Sequence, residues 1–196
     1  MTDSKIIIMP TVEKVDRASF FKKIKVSLFG KLSQLQVDTI NAVLDECEAQ
    51  GVDNKIHIAY IFATAYHECH KPNNPELRLT PMVEFGSMSY LKGKKYYPYI
   101  GRGLVQLTWL DNYQKIQKVI STLDRFKGVD IVTHPDKVLD PKLSAFVIVY
   151  GMRKGTFTGK KLSDYKTFVP MRRIINGIDK ANLIASYANS FLTALQ

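Results

Sequence analysis

Cysteine is almost missing from this chain: Cys47 and Cys69 are the only two among 196 residues. Two thiols do not make a disulfide framework, so both are expected to be reduced and structural, in a protein synthesised in a reducing compartment. Long apolar runs are missing as well. No stretch approaches the roughly 20 residues of a membrane span. Ile6-Ile7-Ile8-Met9, closed by Pro10, is far too short for the apolar centre of a signal peptide. The sequence therefore predicts a protein without an export route of its own. It also contains no internal repeat and no low-complexity tract.

Acid is the other shortage. Asp and Glu number 18 against 28 Lys and Arg, a net charge of +10 with a pI near 9.5. Such an excess fits a polyanionic partner (nucleic acid, an anionic membrane face or an acidic cell-wall polymer), or it serves solubility alone. Several chemistries find no motif. His67-Glu68-Cys69-His70 spaces its histidines three apart, and the four-residue spacing of a metalloprotease helix would put the second ligand at Lys71. Gly101-Arg102-Gly103 lacks the further Gly and the Lys-Ser/Thr of a phosphate loop. No serine or cysteine nucleophile motif is present. Nothing resembles a nucleic-acid recognition motif either. Neither a metal nor a cofactor is expected, and nucleic acid is not an expected partner.

What is present fits one domain with a real core, since 45% of the residues are hydrophobic. Residues 1–30 read as a basic N-terminal arm packed on that domain. In it Lys14, Arg17, Lys22, Lys23 and Lys25 alternate with Phe20, Phe21, Ile24, Val26 and Phe29; a membrane-contacting helix is the other reading. Residues 31–196 make up the domain. Ser33 and Gln36 form a capping box that opens a helix with Leu35, Ile40, Val43, Leu44 and Cys47 on one side, ended by Gly51. Asp53 or Asn54 caps the next helix, which is apolar nearly all round and is predicted to be the buried central one, with Glu68 in its last turn. Pro72, Asn73, Asn74, Pro75 and Pro81 make residues 69–82 a loop, and residues 85–100 are irregular with room for short strands. Further helices are predicted from Leu110, from Asp140-Pro141 to about Gly155, and from about Lys180, the last with Ile184, Tyr187, Ala188, Phe191 and Leu195 inward. The class is mainly α.

Two carboxylates facing a groove of polar and aromatic residues are what glycosidic bond cleavage requires. Glu68 suits the general acid, because a helix C-terminus and partial burial both disfavour its ionised form. Glu84, in a solvated loop, suits the base, with Glu76 as its rival. Thr108 offers a hydroxyl to hold the attacking water. Gln106, Asn112 and Tyr113 can hydrogen-bond sugar hydroxyls and acetamido groups. Tyr96, Tyr97, Tyr99 and Trp109 either stack on pyranose faces or fill the core.

Ala63–Glu68, ATAYHE, and Gly101–Tyr113, GRGLVQLTWLDNY, resemble the two signatures of the family-nineteen glycoside hydrolases, the chitinases and phage-type endolysins of the lysozyme-like superfamily. Thr80-Pro81-Met82-Val83-Glu84 is similar to the stretch that carries the second carboxylate in short, phage-type members. Arg172-Arg173-Ile174-Ile175-Asn176-Gly177 looks like the family's C-terminal Ile-Asn-Gly motif. The likeness covers residues 33–196. It implies a lysozyme-like, bilobal helical fold with a small irregular or short-β segment beside the cleft. It implies Glu68 as acid, Glu84 as base and Thr108 as the residue that positions the water, with inversion at the anomeric carbon. Gln106, Asn112, Tyr113 and Asn176 match substrate-binding positions, and Arg102 matches the motif's turn residue. Tyr66, Tyr99, Trp109 and Arg173 are further candidate substrate contacts. The sequence departs from plant-type members in Cys69-His70 after the His-Glu pair, and in having Leu183 near the place of an arginine in the final helix; Arg172 or Arg173 would take over the ion pair. The expected partner is a polysaccharide, peptidoglycan before chitin, met by a monomer whose basic surface also contacts an anionic envelope. The expected setting is a phage lysin that accumulates in the bacterial cytoplasm, or rides in a virion, and attacks the wall after release. A non-catalytic wall-binding or virion structural component is the alternative of another class.

Overall fold

The computed structural model describes residues 14–196; the Ile6–Met9 stretch lies outside them. Helix accounts for 60% of the structure and strand for 4%, so helix faces, not a sheet, set the core. The elements are α1 (Arg17–Ile24), α2 (Gln34–Ala49), α3 (Lys55–Glu68), β1 (Met82–Val83), α4 (Met88–Lys92), β2 (Arg102–Gly103), α5 (Leu110–Ile120), α6 (Pro141–Lys154), α7 (Phe168–Met171) and α8 (Ala181–Leu195).

Helix α3 is the centre. Asn54 caps it, its side chain accepting from the Ile56 N–H at 2.9 Å. Every residue from Ile58 to Tyr66 is buried, so the helix must be surrounded. α8 packs along it, with α6, α7 and α2 on its other sides. Phe62 stacks on Phe191 of α8 at 5.3 Å and meets Phe20 of α1 at 5.4 Å. Burying one such side chain contributes about 1.5–3 kcal/mol. Phe20 and Ile24 are fully buried in this same cluster, so the described part of the expected N-terminal arm shares the main core. After α1 the chain takes one π turn, Lys25–Phe29, and leaves it at Gly30.

The capping box of α2 forms as read: Gln36 Oε1 accepts from the Ser33 N–H at 2.8 Å, and Ser33 Oγ accepts from the Gln36 N–H at 3.3 Å. Gln36 is itself buried, and its Nε2 donates to the carbonyls of Pro75 and Arg78. One side chain thus starts a helix and fastens the loop after α3. Leu35, read as inward, is exposed at the first turn of α2, and Gln36 takes the inward place.

β1 and β2 pair antiparallel, Met82 with Gly103 and Val83 with Arg102. The chain then doubles back, and Arg102 and Leu107 exchange backbone hydrogen bonds at 3.1 and 2.8 Å. Gly103 sits at φ 76°, where an added Cβ would lie 2.6 Å from Ser144 Oγ of α6. That hydroxyl accepts from the Leu104 N–H at 2.7 Å. The glycine lets the turn press onto α6, which fixes the hairpin beside the end of α3. Cys47 and Cys69 are both free and buried, and the Cys69 thiol donates to the Gly103 carbonyl at 3.2 Å. Among the described residues no helix is long and apolar enough to cross a membrane.

Candidate active site

A cleft of about 480 Å³ opens where the end of α3 faces the hairpin, the start of α5 and the Ile175-Asn176 turn before α8. Glu68 lines one wall and Glu84 another. Glu68 is the last residue of α3, and Arg172 Nη1 donates to its Oε1 at 2.6 Å. The guanidinium is buried, and its Nε donates to the Asp179 carbonyl at 3.1 Å. Of the two arginines expected to make an ion pair, Arg172 makes it, and its positive charge stands against the negative end of the helix and opposes the helix-end effect on Glu68. It also fixes the carboxylate's direction.

Glu84 follows β1. Its N–H donates to the Gly101 carbonyl at 2.7 Å, and the Gly101 N–H donates back to Glu84 Oε2 at 3.0 Å. The other carboxylate oxygen, Oε1, accepts from the Tyr96 hydroxyl at 2.8 Å. Partial burial first, and then the hydrogen bond to Glu84 and its charge, push the Tyr96 phenol up to about 12. Tyr96 is thus a donor at every physiological pH.

Polar groups supply the rest of the lining. Thr108 Oγ1 donates to the Gln106 carbonyl at 2.7 Å, and Asn112 Nδ2 to the Thr108 carbonyl at 2.9 Å. Gln106 Nε2 donates to the carbonyls of Met82 and Gly103, both at 3.1 Å. Gln106 and Trp109 both hold positive φ, 52° and 74°. Side chains other than glycine adopt that region at a cost, and such residues gather at functional sites. Trp109 is 51% exposed, and its ring meets Tyr96 edge to face at 5.2 Å. Asn176 lines the cleft opposite, with Phe157 and Ile175 beside it.

Of the residues that the sequence nominated, Glu68, Glu84, Tyr96, Thr108, Gln106, Trp109, Asn112 and Asn176 line this cleft. The others do not, among them Tyr97, which is exposed outside it. Tyr66 is buried, donates its hydroxyl to the Leu28 carbonyl and packs against Phe29, Tyr187 and Phe191. Tyr113 is fully buried and donates to the Ile100 carbonyl. Tyr99 packs on Tyr113 and donates to the Val132 carbonyl. Arg102 is buried too: it bonds Asp136 through Nε at 2.6 Å and the Pro98 and Ile100 carbonyls through Nη1. These four are held by hydrogen bonds within the fold and do not line the cleft. Arg173 is exposed but outside the lining, while its neighbour Arg172 makes the ion pair. Glu76, the rival second carboxylate, stands exposed in the Pro75–Leu77 turn, away from the cleft.

Sequence reasoning missed Phe157 altogether. Its one signal was Gly151, a glycine inside a helix, since a Cβ there would sit 2.2 Å from Phe157 Cζ. It read Tyr96 as a stacking surface and not as a donor to Glu84. The chain matches no model of a known protein family, and no curated protein matches it.

Proposed function

We propose that this protein is a glycoside hydrolase of the family-nineteen kind, a lysozyme-like endolysin that cuts the glycan strands of peptidoglycan. The observation that carries this reading is the cleft that Glu68 and Glu84 share. In the proposed reaction the Glu68 carboxyl gives its proton to the glycosidic oxygen as the bond from the anomeric carbon breaks toward that oxygen. Glu84, ionised, takes a proton from the water that attacks the same carbon from the opposite face, so the configuration inverts. Arg172 receives the Glu68 anion that proton donation leaves. Thr108 holds the water, and Gln106, Asn112 and Asn176 bind hydroxyl and acetamido groups. Trp109 and Phe157 present flat apolar faces to the pyranose rings.

The net charge of +10 favours an anionic wall over uncharged chitin, because a cationic surface concentrates the enzyme on a polyanion. Two buried free thiols fit synthesis in a reducing cytoplasm and action on the wall after release. The protein acts as a monomer in this reading.

The test is mass analysis of purified peptidoglycan and colloidal chitin after incubation with the protein. Muropeptides ending in reducing N-acetylmuramic acid, with chitin little changed, are the expected outcome. Chitin oligomers without peptidoglycan products would replace the substrate. Tight wall binding with neither product would replace the enzyme by a wall-binding component.

A further inference from the structure

We infer that Tyr96 is the positioning residue of the second carboxylate: its hydroxyl, donated to Glu84 Oε1, holds that side chain in the direction a general base needs. The inference rests on the hydrolase reading above and assigns to it a residue that no motif marks.

A glutamate in a loop has several rotamers, and ordering such a side chain costs conformational entropy. A base must nonetheless be oriented before the water arrives, because small misplacements cost large factors in rate. Three constraints hold Glu84. The reciprocal bonds with Gly101 fix its backbone and one carboxylate oxygen, at 2.7 and 3.0 Å. Tyr96 holds the other oxygen at 2.8 Å. Tyr96 itself is confined, since its carbonyl accepts from the Tyr99 N–H at 2.7 Å and its ring lies edge to face on Trp109 at 5.2 Å. Trp109 is tied in turn, its N–H donating to the Tyr99 carbonyl at 3.0 Å.

The chemistry of the donor matters as much as its place. A phenol hydrogen bond to a carboxylate is charge-assisted and favours the ionised form over the protonated one. A lysine there would neutralise the base, and a carboxylic acid of similar pKa could hand the base its own proton. A neutral phenol does neither. The Tyr96 hydroxyl and the Gly101 N–H approach different oxygens, which leaves further lone pairs on the carboxylate to take the water's proton.

Two measurements on the whole chain test this, both using Tyr96→Phe, which removes one oxygen and keeps the ring against Trp109. In the first, kcat and KM for peptidoglycan turnover are measured separately. Tyr96→Phe is expected to lower kcat by about 10- to 100-fold with KM within about 2-fold. In the second, ring-labelled tyrosine is titrated by NMR, with Tyr96 assigned by its loss in Tyr96→Phe. The Tyr96 phenol is expected to titrate near 12 in the native chain and distinctly lower in Glu84→Gln.

An active Tyr96→Phe enzyme with native kcat, beside an inactive Glu84→Gln, would overturn the inference and leave the hydrolase standing. So would a Tyr96 titration indifferent to Glu84→Gln. A native protein that turns over no peptidoglycan would instead overturn the hydrolase reading, and the positioning role with it.

Discussion

Glu68 and Arg172 lie 104 positions apart in the chain and 2.6 Å apart in space. The arginine side chain is 5% exposed and the glutamate 19%, so the pair works in a medium where charge is poorly screened. Removing one partner leaves the other stranded, which costs about 3 kcal/mol for a pair this buried. Arg172→Met is therefore expected to lower stability by about that amount in urea unfolding and to abolish turnover. Arg172→Met combined with Glu68→Gln should unfold at higher urea than Arg172→Met alone, because no uncompensated carboxylate remains. At this scale the motifs placed some polar residues and misplaced others. Glu68, Thr108 and Asn112 reach the cleft as the motifs imply, whereas Arg102 and Tyr113 from the same stretch turn inward and hydrogen-bond each other. Both kinds carry polar groups; only the packing of α5 and the Asp136 carboxylate decides which of them faces solvent.

Elements were legible wherever a local rule governs them. Ser33 and Gln36 cap α2, Asn54 caps α3, Asp140 caps α6 through the Lys142 and Leu143 N–H groups, and Gly155 ends α6 at φ 74°. The unbroken apolar run of α3 could only be a central helix. The stretch between α3 and α5 follows no period, because its order comes from distant partners: Gln36 for the loop, Ser144 for the turn and Asp136 for Arg102. Phe157 belongs to this class. Its ring lies against Gly151 of α6, and Gly151→Ala would set a methyl 2.2 Å from Phe157 Cζ. The ring is the part that can give way, so Gly151→Ala is expected to displace it from the cleft wall. KM for the glycan should rise by up to about 10-fold, the equivalent of one lost aromatic contact, with kcat kept. Unchanged kinetics would show that Phe157 does not touch the substrate.

Across the molecule, buried titratable groups set a window of stability. Burial holds His57 and His67 below the ordinary 6.5. As pH falls through that value the unfolded chain takes up protons that the folded chain refuses, so stability is present above it and declines below. Burial holds the Cys47 thiol up at about 12 from 9.0, raises Cys69 likewise, and pushes Tyr60, Tyr66 and Tyr113 above 10.0. Above pH 9 the unfolded chain therefore releases protons that the folded chain keeps, and stability declines again. The expected Tm profile is a plateau from about pH 6.5 to 9 with falls on both sides, read by calorimetry; a Tm that rose steadily toward acid would contradict these burials.

The central claim is that Glu68 and Glu84 act together across one cleft. It is tested most directly by the initial rate at which new reducing ends appear in purified peptidoglycan, measured for the native protein, Glu68→Gln and Glu84→Gln, with wall binding measured in parallel. The account predicts release by the native protein, a loss of at least about 100-fold in each variant, and binding retained by both. Native rates from Glu68→Gln and Glu84→Gln, or no release by the native protein, would contradict it.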